Sequence, residues 1–255
     1  MQGALYCRSE CLEKALVEVL RRAQRLPDKS FLAPHRIPLG LILLSRQQLT
    51  AEQLRAALEA QRAAACAEGV PSTKKIGAWM QELGFVSEQQ VTAALARQWS
   101  CPVLRTGLMA VVAGRFPAIP ALLLESFQMM PVDLVEATGT LLMAFSEGID
   151  YTVLYAIEQM LGYRTEPCLV CPSILQKSLQ SLARERGTSD VVFERLQDVG
   201  ECARIVANYA ASVKAEEVRV ARCGEHFWIR LERARQGAVT LVAGFGSQFS
   251  GAISR

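Results

Sequence analysis

An α+β fold is predicted from three observations. A 24-residue segment with helical periodicity occurs twice, a middle stretch alternates short apolar runs with amphipathic ones, and the last stretch holds one helical pattern followed by three short apolar runs between turns. In chain order this makes an N-terminal helix, a four-helix subdomain of duplicated helical hairpins, a small α/β subdomain and a C-terminal helix plus three-strand unit. The expected boundaries are 1–35 for the N-terminal amphipathic helix and linker, 36–104 for the duplicated helical subdomain, 105–187 for the α/β subdomain and 188–255 for the last unit.

The first helix follows from apolar positions at Leu12, Ala15, Leu16, Val19 and Leu20, with Arg21, Arg22 and Arg25 near its end, where cations suit the helix dipole. Pro27 stops it, and the proline-rich run from Asp28 to Pro38 reads as a linker.

The repeat comes next. Pro38 to Gln61 and Lys75 to Gln98 align without gaps at an offset of 37 residues. Each copy opens on a hydrophobic residue and a glycine, Leu39-Gly40 and Ile76-Gly77, then an apolar pair, Ile42-Leu43 and Trp79-Met80. A second helix starts at a Ser/Thr-x-x-Gln capping box, Thr50 to Gln53 and Ser87 to Gln90, whose side chains satisfy N–H groups of the first turn. Leu54, Ala57, Leu58 and Gln61 recur as Val91, Ala94, Leu95 and Gln98, one stripe at i, i+3, i+4, i+7. Two copies are too few for a free-standing solenoid, so the two helix-turn-helix units are expected to pack on each other.

Beyond them, Ala118 to Glu125 reads as a short helix, Gln128 to Val132 and Leu141 to Phe145 as a strand pair, and Arg164 to Cys171 as a third strand. Asp150 caps a helix that Gly162 closes, and Pro172 opens another that runs to about Arg186. In the last unit Asp198 caps a helix with the apolar face Val199, Cys202, Ile205, Val206 and Tyr209, and Val218 to Arg222, Phe227 to Leu231 and Val239 to Ala243 read as strands.

The composition, 51% hydrophobic and 21% charged, is that of a chain with a packed core. Lys+Arg 28 against Asp+Glu 25 leaves a net charge of +3, too small to argue for nucleic acid or an acidic membrane surface. No apolar run approaches the roughly 20 residues that cross a bilayer, and no leader pattern opens the chain, so a cytoplasmic location without direct membrane insertion is expected. Eight cysteines are then expected as structural thiols.

Little in the sequence supports a reaction centre. The two histidines, His35 and His226, are expected to be exposed and are too few for a His-based metal site or triad. Cys168-Leu169-Val170-Cys171 has CxxC spacing, but no second pair accompanies it and a strand would turn the two thiols to opposite faces. Cys7 and Cys11 lie one helical turn apart without partner ligands. Gly246 to Gly251 has phosphate-loop glycine spacing, yet Ala252 and Ile253 stand where lysine and a hydroxyl are needed. Glu185, Glu216 and Glu217 read as solvated or capping carboxylates. No catalytic residue, metal ligand or cofactor is expected, and the chain is not expected to be an enzyme.

The duplicated segment, carried best by Lys75-Ile76-Gly77, Leu83 to Gln90 and Gln98, resembles the N-terminal domain of type II secretion and type IV pilus assembly ATPases, including its MshEN subtype. Phe127 to Leu182 looks like the α/β part of that domain, and Ala207 to Glu232 is similar to the start of the ATPase second domain; the ATPase core itself has no counterpart here. The resemblance implies a non-catalytic protein-interaction module. Its implied partner is the cytoplasmic domain of an inner-membrane secretion or pilus platform protein, or a secretion ATPase, with peripheral placement at the inner membrane through that partner. The alternative it implies is a cyclic di-GMP sensor, whose ligand residues would be Leu39, Gly40, Leu54, Leu58, Gln61, Lys75, Ile76, Gly77, Val91, Leu95 and Gln98. The subtype's opening arginine is Pro38 in the first copy and Lys75 in the second, and its mid-motif glycine is Gln47 and Gly84.

Overall fold

The fold, seen in a computed structural model, is described for residues 8–25, 36–68, 74–104, 119–186, 191–233 and 237–245. Cys7, His35, the side chain of Glu185 and the Gly246 to Gly251 segment lie outside the described residues.

Helix α1 (Ser9–Arg25) buries Leu16 and Leu20, while Val19, expected on the same face, is exposed. The first repeat forms α2 (Leu39–Ser45) and α3 (Ala51–Glu68), the second α4 (Ile76–Glu82) and α5 (Glu88–Trp99). Both capping boxes are made. Thr50 N–H donates to Gln53 Oε1 at 2.9 Å and Gln53 N–H to Thr50 Oγ1 at 3.2 Å; Ser87 N–H donates to Gln90 Oε1 at 2.7 Å and Gln90 N–H to Ser87 Oγ at 3.2 Å.

The turns between the paired helices also match. Gln47 and Gly84 both sit at positive φ, 57° and 71°. Gln48 N–H reaches back to the Leu43 carbonyl and Phe85 N–H to that of Met80, each at 3.0 Å. A residue with a side chain thus holds the left-handed turn in one copy and glycine holds it in the other. The helices then pair across the copies, α2 with α5 and α3 with α4, around a core that includes Leu39, Leu43, Ala57, Met80, Val91 and Ala94.

Helix α6 (Ala121–Ser126) precedes a three-stranded sheet of β1 (Met129–Val135), β2 (Thr140–Phe145) and β3 (Arg164–Leu169). β1 runs antiparallel and β3 parallel to the central β2. The parallel pair needs a crossover, and α7 (Tyr151–Leu161) supplies it. Asp150 Oδ1 accepts from Thr152 N–H at 2.8 Å to start α7, and Gly162 at φ 78° ends it. Helix α8 (Pro172–Arg186) packs with α6 and β1. After α5 the chain runs along β3: Leu104 N–H donates to the Leu169 carbonyl at 2.7 Å and Leu169 N–H to that of Pro102 at 2.9 Å. The Glu88 carboxylate of α5 accepts from Ser173 N–H at 2.6 Å and Ser173 Oγ at 2.7 Å, fastening the repeats to the first turn of α8.

The last unit departs from expectation by one strand. It has four, β4 (Val191–Leu196), β5 (Glu217–Cys223), β6 (His226–Arg233) and β7 (Gly237–Phe245), in the order β4-β7-β6-β5, with α9 (Val199–Ser212) after β4. β4 pairs parallel to β7, nearly fifty residues downstream, so no local turn or alternation announces it. Phe227, Ile229 and Leu231 face α9 and α1, whereas Trp228, Ala221 and Cys223 join the core under β1 to β3. β6 thus enters a core on both faces, through Phe227, Ile229 and Leu231 on one and Trp228 on the other, as a strand of a sheet covered on both sides does. Arg222 Nη1 donates to the Gln24 carbonyl at 2.9 Å, closing the C-terminal end of α1 with a cation. His226, expected to be exposed, is half-buried as the first residue of β6 because the sheet extends to its position. No described helix is long and apolar enough to cross a membrane.

Candidate functional site

Of the eleven residues implied as ligands, Leu39, Leu54, Ile76, Val91 and Leu95 belong to the core between the two hairpins, and Lys75 faces away from it. Leu39, Gly40, Gly77 and Val91 are buried, Leu54, Leu58, Gln61, Ile76, Leu95 and Gln98 are half-buried, and only Lys75 is exposed. The glycines allow the close approach. A Cβ on Gly40 would lie 2.7 Å from Leu54 Cδ1, and one on Gly77 3.1 Å from Val91 Cγ1 and 3.3 Å from Leu39 Cδ2. Gln61 Nε2 donates to the Lys74 carbonyl at 3.0 Å, and Gln98 Nε2 to the Ile37 carbonyl at 2.7 Å. Both bonds cross from one copy to the other, and they are equivalent under the repeat offset. Lys75 Nζ is held 2.7 Å from Glu147 Oε2 in the loop after β2.

A cavity of about 610 Å³ opens beside this junction, within the roughly 300–1,000 Å³ of ordinary ligand pockets. Arg36, Ile37, Ile42 and Ser45 line it from α2 and its approach, Arg97, Gln98, Trp99 and Ser100 from the end of α5, and Tyr151 from the start of α7. The Arg36 guanidinium carbon lies 3.1 Å from the Trp99 ring centroid. The Tyr151 ring lies beside Trp99, its centroid 6.2 Å from that of the indole. Burial pushes Arg36 below its ordinary guanidinium value, with the Tyr151 phenol acting in the opposite direction.

The second copy fills the corresponding positions differently. Ile37, Ile42 and Ser45 correspond to Lys74, Trp79 and Glu82, and there the side chains close on one another: Lys74 Nζ lies 4.2 Å from the Trp79 ring centroid and pairs with Glu82. The cavity thus has an isoleucine and a serine where the other copy has a tryptophan and a glutamate.

No family model matches the chain, and no curated protein matches it. Among solved structures it is similar to a structure of MshE with cdg, at 24% identity over 58% of this chain and 99% of that one, with a TM-score of 0.47. It is also similar to the N-terminal domain of XpsE in two crystal forms, at 18% identity, 56% and 91% coverage and TM-score 0.40, and at 17% identity, 71% and 98% coverage and TM-score 0.34. The neighbours are MshE and XpsE N-terminal domains.

Cys168 and Cys171 have separate partners, Sγ of the first donating weakly to the Met143 carbonyl at 3.6 Å and Sγ of the second accepting from Thr92 Oγ1 at 3.7 Å. Glu217 is held below its usual carboxylate value first by its hydrogen bond from Arg219. Among the described residues no three His, Cys, Asp or Glu side chains gather as metal ligands. Reading the sequence missed Arg36, Arg97, Trp99 and Tyr151; the only signal was that Trp99 and Arg97 flank Gln98, two residue types enriched where proteins bind one another.

Proposed function

We propose that the chain is a non-catalytic protein-interaction module of the type its repeats resemble, docking a component of a secretion or pilus machine. The observation that carries this reading is the pair of reciprocal bonds, Gln61 to Lys74 and Gln98 to Ile37. Two of the side chains implied as cyclic dinucleotide ligands, Gln61 and Gln98, bond instead across the hairpins, and a preorganised helical body with an open groove suits docking. The partner is the cytoplasmic domain of an inner-membrane platform protein or a secretion ATPase, and the chain sits in the cytoplasm, at the inner membrane only through that partner.

The test is a pull-down of the full chain with the purified platform cytoplasmic domain, paired with calorimetric titration of cyclic di-GMP. Capture of the platform domain without heat from the dinucleotide supports docking. Saturable heat at micromolar dinucleotide without capture replaces docking by the sensor reading.

A further inference from the structure

Large apolar side chains on a monomer surface are ordinarily scattered. Here two of them line one cavity and two more stand one helical turn from its lining residues. Ile37 (63% exposed) and Tyr151 (53%) line it. Leu41 (52%) lies one helical turn before the lining residue Ser45, and Tyr155 (56%) one turn beyond Tyr151 on α7. Tyr151 and Tyr155 repeat at the i, i+4 spacing of one face of α7, and Leu41 of α2 follows Ile37, which stands just before that helix. Trp99, tyrosine and arginine between them are the side chains that dominate binding energy at interfaces.

The charges at the groove are of one sign. Among the described residues neither Arg36 nor Arg97 forms a salt bridge. In the segment that leads into α7, Glu147 pairs with Lys75, and Asp150 accepts from the Thr152 and Val153 N–H groups. Stacking on Trp99 holds the Arg36 fork in place before any partner arrives, which lowers the entropy lost on binding a carboxylate.

We infer that this groove is the docking surface and that its occupant is an acidic amphipathic helix of a partner protein, apolar face against Ile37, Leu41, Tyr151 and Tyr155, carboxylates on Arg36 and Arg97. The inference rests on the docking reading above and deepens it. The groove is built from unlike segments, with Tyr151 of α7 on one side and Trp79, Lys74 and Glu82 at the corresponding positions of the other copy, so one groove takes one helix.

The test uses the full ¹⁵N-labelled chain and synthetic peptides of about 15 residues, long enough to hold a helix. One has leucines at i, i+3, i+4 and i+7 flanked by glutamates; a second has lysine at every glutamate. The glutamate peptide binds one to one and shifts the Trp99 indole N–H, and the lysine peptide binds about tenfold or more weakly. The double variant R36E/R97E reverses that order, and Arg97→Glu alone, at an exposed position, moves it part of the way. Equal binding of both peptides, shifts confined to other faces, or no binding overturns the surface. Glutamate-peptide binding without capture of the platform domain keeps the surface and removes the platform partner; undiminished capture by R36E/R97E keeps docking and removes the surface.

Discussion

The side-chain amide of Gln98 donates to the backbone carbonyl of Ile37 at 2.7 Å, tying the end of the second repeat to the approach of the first. Gln61 makes the same bond in the other direction, to Lys74 at 3.0 Å. The two glutamines at matching places in the repeat thus join the copies reciprocally.

Replacing either glutamine by alanine is therefore expected to lower stability by about 0.5–1.5 kcal/mol, the net worth of one such bond. Urea titration of Gln61→Ala, Gln98→Ala and the double variant measures it. Midpoints unchanged in all three would show that the clasp contributes nothing.

Gly40→Ala sets two effects against each other. Alanine improves helix propensity by about 1 kcal/mol, but its Cβ would stand 2.7 Å and 3.0 Å from the two methyls of Leu54, and overpacking costs about 1–3 kcal/mol. The clash wins, with an expected net loss of about 1 kcal/mol. Adding Leu54→Ala should leave the second substitution cheaper than it is alone, a coupling that a double-mutant cycle reads directly.

Gln47 holds a left-handed conformation at φ 57° that its counterpart Gly84 holds at φ 71°. A non-glycine residue there costs about 1–2 kcal/mol, and part of that returns as unfolded-chain entropy when glycine replaces it. Gln47→Gly should raise stability by about 0.5–1 kcal/mol. Gly84→Gln should lower it by a similar amount, since nothing lies within 4 Å of a Cβ at Gly84 and only the backbone is at issue.

Burial, reinforced by Cys101, pushes the Cys168 thiol up to about 12. Burial with Asp150 pushes Cys223 to about 12, and burial with Glu201 pushes Cys202 to about 11. In the unfolded chain these thiols ionise near 9.0, so their contribution to stability is complete below pH 9.0 and is lost as pH rises towards 11 to 12. Melting temperature should fall through that window. At pH 8, iodoacetamide should modify exposed Cys11 and reach Cys168, Cys202 and Cys223 only in denaturant, as mass spectrometry of the alkylated peptides will show.

The elements that the sequence announces are those whose signals are local. Both capping boxes, the Asp150 and Asp198 caps and the Gly162 stop depend on side chains within a few residues of the backbone they satisfy. The duplication is legible for the same reason, because equal local signals at a fixed offset imply equal hairpins.

What tertiary structure alone decided is everything that joins residues far apart in the chain. It placed α2 on α5 rather than on a free surface, set β4 beside β7, and laid Leu16 and Leu20 of α1 on the core of the last sheet. It also stacked Arg36 on Trp99 beside Tyr151. Helical periodicity says that a face will be buried but not against what, since apolar burial is non-directional. The groove exists because packing brought three separate segments together and left Ile42 where the other copy has a tryptophan.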